Sequence, residues 1–164
     1  MIVAAIGDTH LPRGSRRLPE ECVRRLQRAD LILHAGDHSS LASLQELRAL
    51  GPPVHAVFGN VDEPALQQLL PEQLVVEVGE ARVGITHVPG PRVGREERLV
   101  NLFPTCGAVL YGHTHEPQVE CHASVWILNA GSPTERRRSP VHTMLELEIA
   151  GRKIRPSLIV LEQA

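Results

Sequence analysis

Three features of the sequence predict an α/β fold with its chemistry at strand ends. Continuous runs of β-branched and small apolar residues, first at Ile2–Ile6 and again at Leu31–Leu33, read as strands covered on both faces. Helical patterns alternate with these runs to give β-α-β-α-β as far as Phe58, which predicts a parallel sheet with right-handed crossovers. After Gly112 the helical periodicity stops and only strands follow, which predicts an antiparallel second half.

In order, Ile2–Ile6 delivers Gly7-Asp8-Thr9-His10, an acid and an imidazole where open α/β sheets place their chemistry. Asp8 as a plain helix cap is the simpler alternative. A loop from Leu11 to Pro19 carries Arg13, Arg16 and Arg17, either a solvated basic loop or guanidinium groups for a phosphate. A helix from Pro19 to Arg28 follows, with proline at its start and Val23 and Leu26 at core spacing. Leu31–Leu33 ends in His34-Ala35-Gly36-Asp37-His38. Ser39 or Ser40 caps a helix through Leu50 with Leu41, Leu44 and Leu47 on one stripe. Val54–Phe58 ends in Gly59-Asn60-Val61-Asp62, and a short helix spans Pro64–Leu70. Leu74–Val78 and Ala81–Thr86 form a hairpin about Gly79-Glu80, and the second strand ends in His87. A helix at Arg95–Phe103 leads to the strand at Ala108, which breaks at Gly112 into His113-Thr114-His115. The remaining strands are Gln118–Cys121, Val125–Asn129, Thr143–Ile149 and Lys153–Val160.

Length and composition restrict what such a chain does. At 164 residues, 42% hydrophobic and 22% charged, it suits a single domain, residues 1–164, that buries a core without disulfides. Aromatics are only 2% and the net charge is -2, so the chain lacks base-stacking platforms and a basic footprint, and no nucleic-acid partner is expected. Cys22, Cys106 and Cys121 form neither a disulfide framework nor a thiolate zinc cluster, which fits a reducing cytoplasm. No run is long enough for a membrane span. Short C-terminal strands are capable of pairing across a homo-oligomer.

The strand ends collect Asp8, His10, Asp37, Asn60, His87, His113 and His115. Two imidazoles one residue apart project to the same side of an extended chain, so His113 and His115 either converge on one small volume or are solvated loop residues. All seven are oxygen or imidazole donors. That set suits Mn, Fe, Zn, Ni or Co better than copper(I), with Mn the first choice. Seven donors exceed one tetrahedral site but match two divalent ions roughly 3.5–4 Å apart that share a bridging carboxylate and activate a hydroxide against phosphorus.

The succession Gly7-Asp8-Thr9-His10, Gly36-Asp37, Gly59-Asn60, Thr86-His87 and Gly112-His113-Thr114-His115 resembles the calcineurin-like metallophosphoesterase superfamily, in its small YfcE-type branch. Asn129-Ala130-Gly131-Ser132 also fits, so the resemblance covers essentially the whole chain. It implies a four-layer α/β/β/α sandwich of two mixed β-sheets, with a dinuclear metal site at the strand C-terminal ends. It further implies one ion on Asp8, His10, Asp37 and His115, the other on Asp37, Asn60, His87 and His113, and Asp37 as bridge. The activity implied is hydrolysis of small phosphomonoesters or phosphodiesters, a phosphatase or phosphodiesterase in which Asp37, Asn60 and His87 serve the chemistry. The same superfamily includes the VPS29 type, whose fold serves protein interaction, and a metal-binding interaction module is the alternative.

The sequence departs from the family pattern twice. Many members carry, directly after the block-three asparagine, a histidine thought to protonate the leaving group; here that position is Val61. The branch usually reads His-Gly-His in its fourth block, whereas His87 is followed by Val88-Pro89. General acid help then falls to Asp62, to His38, to water or to nothing, and substrates with good leaving groups are expected. Outside the site, Asp30 is simplest as a cap or turn residue, and His34, His55, His122 and His142 as structural or exposed.

Overall fold

The computed structural model describes residues 1–161, in the order β1 (Ile2–Ile6), α1 (Glu20–Arg28), β2 (Leu31–His34), α2 (Leu41–Arg48), β3 (Val54–Ala56), α3 (Pro64–Leu69), β4 (Gln73–Val78), β5 (Ala81–Thr86), α4 (Arg95–Leu102), β6 (Ala108–Tyr111), β7 (Gln118–His122), β8 (Val125–Asn129), β9 (His142–Ala150) and β10 (Lys153–Leu161). Two five-stranded mixed sheets result, ordered β10-β9-β1-β2-β3 and β4-β5-β6-β8-β7.

The layers follow from the two-residue period of a strand. Along β1, Val3 and Ala5 face the second sheet, joining Leu33, Leu145 and Leu147 against Val83, Ile85, Leu110 and Leu128 in the central core. Ala4 and Ile6 face the other way and pack with Cys22 and Leu26 of α1 and Leu47 of α2. On the far side, Val109 and Tyr111 of β6 pack with Leu99 of α4 and with Phe103. The arrangement is therefore the expected α/β/β/α sandwich. Both faces of the central strands are dry, which is why their sequences run apolar without alternation.

β1, β2 and β3 pair in parallel, and β4 and β5 form the expected hairpin. Ser40 caps α2 through the Ser43 N–H at 3.2 Å, an interaction worth about 1 kcal/mol. After Gly112 the strands pair antiparallel among themselves, β7 with β8 and β9 with β10, as expected, and one parallel pairing needs adding. β6 pairs in parallel with both β5 and β8, while β7 lies outside β8 at the sheet edge. A short strand serves here as the crossover that a helix supplies in the first half, and periodicity alone does not reveal that. β9 then returns to pair antiparallel with β1 in the first sheet. β3 is also shorter than expected and stops at Ala56, because the Phe58 N–H bonds to Pro71 instead of continuing the ladder. Among the described residues no helix is long and apolar enough to cross a membrane.

Candidate metal centre

The C-terminal ends of β1, β2, β5 and β6 lie side by side, so the loops leaving them meet. The Asp8 N–H bonds to Gly36 O at 2.9 Å and the His10 N–H to Asp37 O at 3.0 Å, zipping the first two loops together. Between them and the third, fourth and fifth loops, all seven predicted donors come together in two groups.

In the first group, the Nε2 atoms of His10 and His115 are 3.1 Å apart. Asp8 Oδ1 is 3.4 Å from His115 Nε2 and 4.0 Å from His10 Nε2, and Asp37 Oδ2 is 3.7 Å from His10 Nε2. In the second group, His87 Nε2 is 3.2 Å from Asp37 Oδ2 and 2.9 Å from Asn60 Oδ1, which is 2.9 Å from His113 Nδ1. Donors about 2.1 Å from one ion are separated by about 3.0 Å at right angles, about 3.4 Å at the tetrahedral angle and about 4.2 Å when opposed. The measured separations are edges of such polyhedra, so the residues present fit two divalent ions. Asp8, His10, Asp37, His87 and His115 are all buried, which solvated loop histidines are not.

Asp37 belongs to both groups, but through a single oxygen. Its Oδ1 accepts the Val61 N–H at 3.1 Å, and Oδ2 alone faces His10 and His87. The histidines are oriented from behind. His87 Nδ1 donates to Ala35 O at 2.7 Å and His115 Nδ1 donates to Glu135 O, so each Nε2 presents its lone pair inward. Both oxygens of Asp8 accept the His113 N–H at 3.0 Å.

The backbone at these positions is unusual. Asp8, His10, Asp37, His113 and His115 have φ of 53°, 46°, 57°, 73° and 60°, in the left-handed region that side chains other than glycine avoid. At about 1 kcal/mol each, these conformations together cost an appreciable part of a domain's net stability of about 5–15 kcal/mol. Such strain persists where surrounding contacts over-determine it, and it clusters at functional sites. Here it turns side chains inward where an extended strand end would send them apart.

Several contributors were not among the predicted donors. Glu135 Oε2 lies 3.8 Å from His10 Nε2 and holds Arg16 at 3.0 Å and Arg13 at 3.4 Å. Arg137 Nε also approaches Glu135 Oε1 at 3.9 Å, so Glu135 gathers all three arginines. The guanidinium whose charge bears on Asp8, His10, His113 and His115 together is Arg137. Asn129 braces the fifth loop, its Nδ2 donating to Thr114 Oγ1 at 3.0 Å, and Ser132 Oγ donates to Asp8 O at 2.8 Å. No local pattern marks Glu135 or Arg137 in a loop of consecutive charges. Asp62 accepts the Ser39 and Gly59 N–H groups at 2.6 and 2.7 Å, one on each oxygen. His38 Nε2 donates to Val57 O at 3.2 Å, its ring stacked on His34 at 3.6 Å.

Electrostatics prepare the donors unequally. Burial holds His10, His113 and His115 below the ordinary imidazole value, His115 at about 4, so all three are neutral with free lone pairs at pH 7. Burial also lifts the Asp8 carboxyl to about 7, opposed by His87 and reinforced by the negative charge of Asp37. An entering ion must displace that proton. His87, which burial lowers but the carboxylates of Asp37 and Asp8 hold above the ordinary imidazole value, must lose a proton as well. Affinity for Mn is therefore expected to fall at least about tenfold per unit as pH drops below 7. Titration of chelator-stripped protein with Mn at pH 6, 7 and 8 measures this, and an affinity independent of pH between 6 and 7 contradicts it.

The fold and this cluster of candidate metal donors are those of a metallophosphoesterase-type domain. Residues 1–152 match the calcineurin-like phosphoesterase superfamily domain, and the chain belongs to that superfamily. It is 34% identical over 161 residues to a probable metallophosphoesterase of Methanothermobacter thermautotrophicus, covering 97% of this chain and 92% of that one. A probable metallophosphoesterase of Methanocaldococcus jannaschii is 31% identical over 166 residues, 99% of this chain and 83% of that one. Among solved structures, Vps29 of Entamoeba histolytica complexed with zinc is similar, with a TM-score of 0.77 and 26% identity over 98% of this chain and 99% of that one.

Proposed function

We propose that the chain hydrolyses small phosphomonoesters or phosphodiesters using two divalent cations, Mn first among them. Asp8, His10, Asp37 and His115 hold one, and Asp37, Asn60, His87 and His113 the other. The observation that carries this reading is the position of Asp37 Oδ2, 3.7 Å from an imidazole of one group and 3.2 Å from an imidazole of the other. Two ions held there supply a nucleophile at neutral pH and positive charge for the phosphoryl oxygens. The chain's own share is positional. Asp37 sets the spacing of the two groups, Asn60 adds a neutral oxygen without further negative charge, and Arg137, paired with Glu135, brings positive charge close to the centre. The probable metallophosphoesterases among its relatives support the same reading.

Proton supply separates this chain from the wider pattern. Val61, half exposed, has no proton to give. Asp62 spends both oxygens on backbone N–H groups. Burial pushes the His38 imidazole down to about 4, so it is neutral at pH 7. Departure of the alcohol then depends on its own acidity. Across phenyl phosphates of graded leaving-group pKa, log kcat/KM is expected to fall steeply as leaving-group pKa rises, and a nearly flat line refutes the absence of an acid.

The deciding experiment strips the protein with a chelator, restores Mn, counts ions per chain, and assays 4-nitrophenyl phosphate and bis(4-nitrophenyl) phosphate. Two ions per chain with turnover that appears only on reloading is the expected result. Two ions without turnover of either ester leaves a metal-binding interaction module, the reading favoured by the likeness to zinc-bound Vps29. No ion bound at saturating Mn overturns both.

A further inference from the structure

Behind the metal centre lies a cavity of about 540 Å³ between α1, α2 and the loop from Thr9 to Leu18, within the size range of small-molecule sites. None of the seven candidate metal donors lines it. Its walls are largely apolar, with Ile6, Leu11, Leu18, Val23, Leu47 and Leu50.

At its inner end stand Thr9, His34 and His38, and their hydrogen bonds fix the polar character there. His38 is 1% exposed, and its Nε2 donates to the carbonyl of Val57, which only accepts. Nδ1 of His38 therefore carries a lone pair, and among the described residues no donor meets it. His34 Nδ1 accepts the Gly36 N–H at 3.1 Å, so its Nε2 carries the proton and donates to Thr9 Oγ1 at 3.1 Å. The hydroxyl proton of Thr9 is in turn without an acceptor among the described residues. An apolar chamber thus ends in one unfilled acceptor and one unused donor. His38 Nδ1 is not among the fully buried unpartnered atoms, so it meets open space in the cavity, and each further hydrogen bond from a ligand hydroxyl contributes about 0.5–1.5 kcal/mol. At the rim, Arg17 and Glu46 oppose each other in charge and Arg16 is held by Glu135, so the mouth does not select an anion.

We propose that this cavity is a second binding site, for an uncharged and mostly apolar molecule bearing one hydroxyl, which donates to His38 Nδ1 and accepts from Thr9 Oγ1. The inference does not depend on the phosphoesterase reading, since it uses neither the ions nor turnover.

The test uses 1-octanol as probe and its methyl ether as control, followed by amide shifts in the full chain. The alcohol is expected to bind saturably, with shifts concentrated in residues 9–18 and in α2. The ether cannot donate to His38, and is expected to bind about two- to tenfold more weakly, as suits the loss of one hydrogen bond. Ala42→Trp at the rim and Leu18→Trp opposite it fill the cavity and are expected to abolish binding while the amide spectrum elsewhere is kept. Equal binding of ether and alcohol by the wild-type protein, shifts outside these segments, or no saturation up to the solubility of the alcohol each overturn the proposal. The wild-type comparison decides even if both tryptophan variants fail to fold.

Discussion

Asp37→Asn is expected to lower kcat/KM on phosphoesters by on the order of a thousandfold or more while the protein stays folded. In the proposed reaction several kcal/mol of transition-state stabilisation would depend on the ions, and each 1.36 kcal/mol lost is tenfold in rate. The isosteric change is harsh because of one hydrogen bond. The Val61 N–H donates to Oδ1 at 3.1 Å, so the new amide keeps its oxygen on that side and turns its NH2 toward the position of Oδ2. That position faces His10 in one group and His87 in the other, and an amide nitrogen there repels cations and binds none. Metal content should fall below two per chain together with activity. Folding should survive, because the Val61 contact is kept and the buried charge is removed instead of being orphaned. Wild-type turnover by a correctly folded Asp37→Asn variant means that catalysis does not pass through this residue.

Much of this site is legible in the sequence because it is built from local phrases. An apolar run, a glycine and a metal-capable side chain recur within a few residues, as in Gly7-Asp8-Thr9-His10 and Gly112-His113-Thr114-His115, and a parallel sheet brings such strand ends together. The four layers follow from the same local information, since strands without alternation require cover on both faces. What stays hidden is set by contacts between distant segments. Glu135 comes within 3.8 Å of His10 only because β9 returns to β1, and nothing around it in sequence signals that. The parallel pairing of β6 with β8 depends on β7 being pushed to the edge, a choice of topology that period-two patterning does not encode. Side-chain periodicity also assumes extended backbone, whereas His113 and His115 are left-handed. They therefore diverge, His113 toward Asn60 through Nδ1 and His115 toward His10 and Asp8 through Nε2. The pair that a strand would aim at one point instead serves both groups.

The glycine before that pair carries the second large expectation, because its role is the lack of a side chain. A Cβ on Gly112 would stand 2.8 Å from Ala35 O, 2.9 Å from His87 Nδ1 and 3.0 Å from Asp8 Oδ2. Two of those atoms form the hydrogen bond at 2.7 Å that orients His87, and the third belongs to a candidate ligand of the other group. Gly112→Ala therefore drives a methyl into the support of both groups at once. Overpacking of this kind costs about 1–3 kcal/mol, and losing the partner behind a ligating histidine costs about 10–100-fold in metal affinity or activity. The variant is expected to melt lower, to bind Mn more weakly and to lose about a hundredfold in turnover. Gly79→Ala separates the site effect from simple destabilisation. Gly79 has φ of 61° in the β4–β5 turn with open space around a Cβ, so alanine there strains the backbone by about 1 kcal/mol and touches no ligand. A lower melting temperature with unchanged turnover is expected for that control. If Gly112→Ala behaves like Gly79→Ala, losing stability but neither metal nor rate, the close approach at Gly112 is packing alone and the fifth loop has room to spare.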